Sequence, residues 1–352
     1  MASETGSEPD RLENAPHPRE QIALFGHEAA ERAFLEAVGG GRLHHAWLIG
    51  GPEGVGKATL AYRMARFLLA QPRAGAPAST LEVAKDHPVQ RLIAAQSHPN
   101  LAVLRRAAAT DKKAASTTIP VDAVRRAMGL FTSTAADGGY RVCIVDSADD
   151  LLAASANALL KMVEEPPPRS IFLIVSHAPQ RVLPTIRSRC RRLTLRPLAP
   201  DDVRRAVSSL GPPWTQQPPD ALAEAIAMGE GSVRRTLEML DETKIRLVRD
   251  VSAALRALPH VDAKAVLSLS EILARKDGEE AYALTLDTVL RWAGDEIRGK
   301  AVLGVARLAP LAEACEKVAR AAQEADEYNL DRRPLVISMF DDLARAVRRT
   351  QA

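Results

Sequence analysis

Aromatic side chains are scarce in this sequence: Phe, Trp and Tyr together make up 4% of 352 residues. That leaves little material for the stacked aromatic platforms that bind single-stranded nucleic acid. Cysteine is scarcer still. Cys143, Cys190 and Cys315 lie far apart and form no C-x-x-C pair, so neither a disulfide framework nor a cysteine-rich zinc site is expected, and a reducing cytoplasm fits. No run of about 18 apolar residues occurs, so no transmembrane helix is expected. Residues 1–20 are polar and carry Glu4, Glu8, Asp10 and Glu13, unlike a signal peptide. Charge of one sign is not in excess either. Lys+Arg number 47 and Asp+Glu 44, a net +3, which is too small to announce a nucleic-acid binder, although local basic patches are still possible. Apolar residues, at 46%, are plentiful. The chain is globular and long enough for two or three domains.

The apolar runs alternate with helical periodicity over the first half. A helix is expected from Glu28 to Val38, ending at Gly39-Gly40-Gly41, followed by a buried strand at 46–49 and an amphipathic helix carrying Leu60, Met64, Phe67 and Leu68. Further on, a helix at about 87–96, strands at 101–104, 141–146 and 171–175, and helices at 121–131 and 151–165 complete the pattern, the last stopped by Pro166-Pro167-Pro168. Residues 71–86 and 107–118 read as loops. Repeated strand–helix alternation implies a parallel α/β sheet with helices on both faces. After Pro197 the character changes. Pro200 opens a helical stretch, 211–219 is a proline-rich interruption, and from Asp220 on only helix is expected. The expected organisation is a loose tail over 1–18, an α/β P-loop domain over 19–198, a small helical domain over 199–243 and an all-α domain over 244–352.

The chemistry begins at residues 51–57, Gly-Pro-Glu-Gly-Val-Gly-Lys. The pattern G-x-x-x-x-G-K-[ST] wraps phosphates in backbone N–H groups, directs its lysine at the outer phosphates and holds Mg²⁺ with its hydroxyl. Gly51, Gly54, Val55, Gly56 and Lys57 supply the loop, but Ala58 stands where the hydroxyl belongs. Thr59 is no direct substitute, because one residue turns a helix by about 100°. Strand, glycine loop and helix in succession make a nucleotide cradle the favoured reading over a plain glycine-rich turn. Asp146 ends a strand, where P-loop proteins hold Mg²⁺. The alternative, of equal weight, is a residue capping a turn, because Ser147 follows where many ATPases carry a catalytic glutamate, and a serine hydroxyl is no base near neutral pH. Ser176, at the tip of the strand 171–175, either faces a γ-phosphate or simply ends the strand. Arg187, Arg189, Arg191 and Arg192 form either a solvated basic face or a guanidinium aimed at another subunit's phosphate. Gly231-Ser232-Val233-Arg234-Arg235 opens a helix, with Ser232 as a candidate cap. Glu164 and Glu165 sit at a helix C-terminus, where each opposes the helix dipole by about 0.3–1 kcal/mol. A subunit contact and a solvated helix end are both consistent with that.

These elements in this order resemble the AAA+ clamp loaders of DNA replication. The resemblance covers nearly the whole chain past residue 20. It rests on Gly26-His27-Glu28, Arg42 to Leu48, the loop at 51–57, Ser97-His98-Pro99-Asn100-Leu101 and Val121 to Arg125. The Asn-Ala-Leu-Leu-Lys…Glu-Glu-Pro-Pro stretch from Asn157 to Pro167, and Ser188-Arg189-Cys190, are its most specific parts. The resemblance implies an AAA+ domain, a helical lid and an all-α collar that holds a five-membered ring. By position it implies phosphate contacts from Lys57 and the loop glycines, a Walker B aspartate at Asp146, sensor 1 at Ser176, sensor 2 at Arg234, and an arginine finger, Arg189, reaching in trans into the ATP site of a neighbour. It further implies a hetero-pentameric ring with motor (gamma/tau) and delta subunits, acting on a sliding clamp and on primed DNA held by the assembly, within the DNA polymerase III holoenzyme.

The departures are as informative. Motor subunits carry Ser/Thr at the place of Ala58 and Glu at the place of Ser147. Many members also carry a four-cysteine zinc module after the first helix, whereas residues 80–89 hold no cysteine, so no zinc and no other metal site is expected. Binding of ATP or ADP is expected to be weak or absent, with Mg²⁺ binding impaired. The expectation is a chain that donates a finger without being a competent ATPase itself. Its alternatives are a working AAA+ motor subunit and, less consistent with the long helical C-terminus, a P-loop kinase of small molecules.

Overall fold

The computed structural model describes residues 8, 11–12, 14–71, 79–108, 116–131, 139–275, 278–328 and 330–351. The chain divides into two compact units, Met1–Leu237 and Glu238–Ala352.

The first unit is built on five parallel strands: β1 (Ala46–Gly50), β2 (Leu101–Arg105), β3 (Arg141–Asp146), β4 (Ser170–Ser176) and β5 (Arg191–Thr194). Their order across the sheet is β2-β3-β4-β1-β5. Nine helices accompany them among the described residues: α1 (Glu28–Gly39), α2 (Lys57–Ala70), α3 (Pro88–Ala94), α4 (Val121–Gly129), α5 (Ala153–Glu164), α6 (Pro184–Ser188), α7 (Pro200–Ser208), α8 (Pro219–Gly229) and α9 (Val233–Glu238).

Successive side chains of a strand point to opposite faces, and both faces are covered. On one face Trp47, Ile49, Val142, Ile144, Leu173 and Val175 pack with Phe34 of α1 and with Leu60, Met64 and Leu68 of α2. On the other, Leu48, Cys143, Val145, Phe172 and Ile174 pack with Val124 of α4 and with Leu159 and Val163 of α5. Double coverage is why β1, β3 and β4 read as unbroken apolar runs rather than alternating ones. The expected α/β P-loop domain is therefore present, with helices on both faces of a parallel sheet.

The second unit contains α10 (Glu242–Arg256), α11 (Ala263–Leu273), α12 (Glu279–Gly299), α13 (Val305–Tyr328) and α14 (Arg332–Gln351), with no strand among its described residues. Asp241 and Asp262 start α10 and α11, each carboxylate accepting from two backbone N–H groups of the first turn, which satisfies donors that a helix start otherwise leaves unpaired. The α13–α14 pair and the α10–α12 pair supply the main packing. No described helix is long and apolar enough to cross a membrane.

Two features depart from the expectation. The sequence shows β5 only as part of an arginine run, yet Arg191–Thr194 pairs with Trp47–Gly50 along β1. The expected loose tail, 1–18, is packed in its described part. Trp214 Nε1–H donates to Asn14 O at 3.0 Å. Arg19, itself 6% exposed, donates to both oxygens of Glu8 at 3.0 and 2.9 Å. Glu8 also accepts from Arg105, the last residue of β2, at 2.7 Å. Charges that read locally as a solvated tail thus find partners some 75–97 residues away. The read loops at 71–86 and 107–118 fall partly outside the described residues, at 72–78 and 109–115.

Candidate nucleotide site

Parallel α/β sheets bind ligands beyond the carboxyl ends of their strands, and a cavity of about 220 Å³ opens there. Between the end of β1 and the start of α2 the chain must reverse tightly. Gly56, with φ of 101°, occupies the residue before α2 in a left-handed conformation that side chains disfavour. Gly54, with φ of 75°, is approached so closely that a Cβ there would lie 2.2 Å from Ser232 Oγ and 2.7 Å from Arg234 Cβ. The start of α9 rests directly on this loop, and Val233 N–H donates to Gly54 O at 3.0 Å.

The cavity is lined in part by Glu53, Gly54, Val55, Gly56, Lys57, Ala58, Thr59, Asp146, Ser147, His177 and Arg234. The residues expected from the sequence therefore meet at one place, apart from Gly51, Ser176 and Arg189. Gly51 shapes the entry to the loop from outside the lining. Lys57 is 3% exposed, and its ammonium donates to Pro52 O within its own loop. Burial pushes it down to about 8, against the pull of Glu53, Asp146 and Asp149. Arg234 lies with Nε 3.5 Å from a Glu53 carboxylate oxygen. Ala58 presents a methyl group. Ser147 donates its hydroxyl to Asp150 at 3.2 Å, so it is neither a base nor free. The loop amides and Lys57 fit a phosphate. The donor set for a divalent cation is poorer, with Asp146 present and no hydroxyl at 58.

Ser176 is fully buried and donates to Asp149 Oδ1 at 3.1 Å. The Asp149 carboxylate also accepts from the backbone N–H groups of His177 and Ala178, at 2.7 and 3.1 Å. Asp149 thus fixes the turn after β4, and it is His177 that lines the cavity. Burial first, then the Lys57 charge, lowers the His177 imidazole, while Glu53, Asp149 and Asp150 oppose them. Sequence reading missed His177, whose one signal was its place directly after Ser176. It also missed the apolar lining. Leu24, Phe25, Leu198, Leu210 and Leu237 also line the cavity, with Leu12, Ala15 and His17 of the supposed tail. Apolar side chains together with a loop of backbone amides and a lysine are a lining that could hold a nucleotide.

Arg189 is elsewhere. It follows α6 and precedes β5, where Arg191 pairs with Trp47 near the start of β1. The glycine loop follows Gly50, at the end of the same strand. The separation along the strand is on the order of 10 Å from the rise per residue alone, and the two sites lie at opposite ends of the sheet. Arg189 Nη2 makes an ion pair with Glu164 Oε1 at 2.9 Å, and Nη1 donates to Thr185 O at 3.0 Å.

A family model described as "DNA polymerase III, delta subunit" matches residues 26–199. A delta' subunit of DNA polymerase III from Yersinia pestis is 33% identical over 261 residues, 72% of each chain. The chain belongs to the DNA polymerase III clamp-loader family, close to delta'.

Two further clamp-loader subunits are similar over shorter stretches. The delta' subunit of Pseudomonas aeruginosa is 36% identical over 203 residues, 57% of this chain and 58% of that one. A gamma/tau subunit of Mycobacterium bovis is 32% identical over 227 residues, 64% of this chain and 37% of that one. The chain thus spans little more than half of the Pseudomonas clamp-loader subunit. Among solved structures, a gamma-subunit-related protein of Thermotoga maritima superposes with a TM-score of 0.39 at 15% identity, covering 91% of this chain and 100% of that one, a likeness too remote to argue from. The family model matches the α/β sheet region, and the Yersinia match, 261 residues long, extends beyond it.

Proposed function

We propose that this chain is a delta'-like stator of a DNA polymerase III clamp loader. In this reading it does not fire its own nucleotide site. It supplies Arg189 in trans to a neighbouring motor (gamma/tau) subunit, in a pentameric ring that includes delta and loads the sliding clamp onto primed DNA. The observation that carries the reading is the separation of the two chemistries. Lys57, Asp146 and Arg234 gather at the carboxyl end of β1, whereas Arg189 stands near the amino end of the same strand and cannot serve its own cavity. A guanidinium so positioned is available to a second molecule, where it would stabilise charge on the transferring phosphoryl group.

The local cavity would hold ATP or ADP through the loop amides, Lys57 and Arg234. Ala58 and Ser147 deprive it of the groups that hold Mg²⁺ and activate water, so such a nucleotide would be structural. The second reading, a motor subunit turning over its own ATP, is favoured by the assembled cavity and opposed by the same two residues.

The test is ATP turnover by the pure chain and by the ring reconstituted with gamma/tau and delta subunits, each with wild type or Arg189→Ala. The stator reading expects no turnover by the chain alone. It also expects single-turnover hydrolysis at the neighbouring site to fall about 10³–10⁵-fold with Arg189→Ala. Turnover by the isolated chain that disappears with Lys57→Ala would instead establish the motor.

A further inference from the structure

Glu164 ends α5 with a carboxylate facing the negative end of its own helix dipole, an arrangement that helix stability disfavours. The structure gives it a counterpart, the Arg189 guanidinium at 2.9 Å. Both side chains are about two-fifths exposed, at 38% and 41%, and a pair so placed adds little to folding. It does control direction. One nitrogen of the guanidinium is anchored to Glu164 and another, at 3.0 Å, to Thr185 O on α6, so the planar group is stretched between two helices. The post that bears Glu164 is rigid. The neighbouring Val163 is 1% exposed in the core, and its carbonyl lies 2.9 Å from His45 Nε2, which ties the end of α5 to the chain entering β1. Backbone contacts fix the other post, Arg189 N–H donating to Ile186 O at 3.0 Å.

We infer that Glu164 is a positioning residue for Arg189, holding the guanidinium in the orientation in which it meets the neighbouring subunit's phosphates. The inference rests on the stator reading. Lysine cannot replace Arg189 here, because a single ammonium nitrogen cannot span Glu164 and Thr185 O as the two Nη atoms do. A misplacement of the finger by about 1 Å is enough to cost up to 10²-fold in rate.

The experiment measures steady-state ATP hydrolysis by the reconstituted ring carrying wild type, Glu164→Gln, Glu164→Asp, Arg189→Ala or the Glu164→Gln/Arg189→Ala double variant, after thermal melts establish that each variant is folded. The expected result is a fall in kcat of about tenfold for Glu164→Gln with KM for ATP unchanged. Partial recovery in Glu164→Asp is expected, and no further loss when Glu164→Gln is added to Arg189→Ala. Residues that act as one unit are non-additive in this way. Unchanged kcat in Glu164→Gln beside a large loss in Arg189→Ala would overturn the positioning role and leave the stator intact. A loss that multiplies with that of Arg189→Ala would also overturn it, because Glu164 would then act through something else. No loss in Arg189→Ala would remove the stator reading, and the inference with it.

Discussion

Lys57 is charged, almost sealed from water and bonded to a carbonyl of its own loop. An ammonium held this way costs folding free energy, as its lowering to about 8 by burial indicates. Between about 8 and the ordinary lysine value near 10.5 the unfolded chain binds more protons than the folded one, so stability rises with pH across that window. Below it the full penalty applies. Lys57→Met should therefore stabilise the protein at pH 7 by about 1–2 kcal/mol, an advantage that shrinks as pH rises from about 8 towards 10.5. Chemical denaturation at pH 7 and pH 10 measures it, and a destabilised Lys57→Met would mean that the Pro52 contact outweighs the desolvation. Gly54 is constrained in the opposite sense. A methyl group there collides with Ser232 and Arg234 across the loop in a backbone conformation that disfavours it. Gly54→Ala should cost about 1–3 kcal/mol and separate Arg234 from the loop, read as a lowered denaturation midpoint.

At the scale of elements, the strands with two covered faces were legible because nothing but apolar side chains suits them. β5 was not, because only Leu193 of its four residues is buried. It is a strand because of β1 beside it, and Arg191 covers the Trp47 ring at 5.0 Å, so its local composition carries no apolar signal. The glycine loop was legible down to the missing hydroxyl, since its φ angles demand glycine. Ser176 and His177 were not separable, because which of two neighbours faces the cavity is decided by Asp149, a residue 28 positions from His177. The segment before α1 was invisible for the same reason: its partners are distant in sequence. Its hold depends on ionisation. Burial alone would raise the Glu8 carboxyl, but hydrogen bonds from Arg105 and Arg19 outweigh it and hold the group at about 2, below its ordinary 4.5. A carboxylate lowered on folding adds stability that is complete above its unfolded value and is lost as pH falls through the folded one. The segment should therefore loosen between about pH 4.5 and 2, and Glu8→Gln should loosen it already at pH 7. Hydrogen exchange over residues 14–25 reads this out, and unaltered protection in Glu8→Gln would refute it.

At the scale of the whole molecule, each sheet face finds its packing partners inside the first unit. Both core clusters are complete by residue 195, and the cavity is lined by residues from Arg11 to Leu237. Among the described residues, none that lines the cavity or bonds Arg189 lies in the five helices from Glu242 onward. A fragment of residues 1–241, cut at the aspartate that caps α10, should therefore unfold in one cooperative transition, because independence follows from a core of its own. It should also keep the exchange protection of α2. On the stator reading proposed above, with the second unit as collar, the fragment should nonetheless fail to assemble with gamma/tau and delta subunits in gel filtration, although Arg189 and Glu164 are both present. A gradual, non-cooperative melt would mean that the first unit borrows stability from the second. Entry of the fragment into the ring would move the assembly surface onto the α/β unit, where Arg189 and the open edge of β5 would be the first places to seek it.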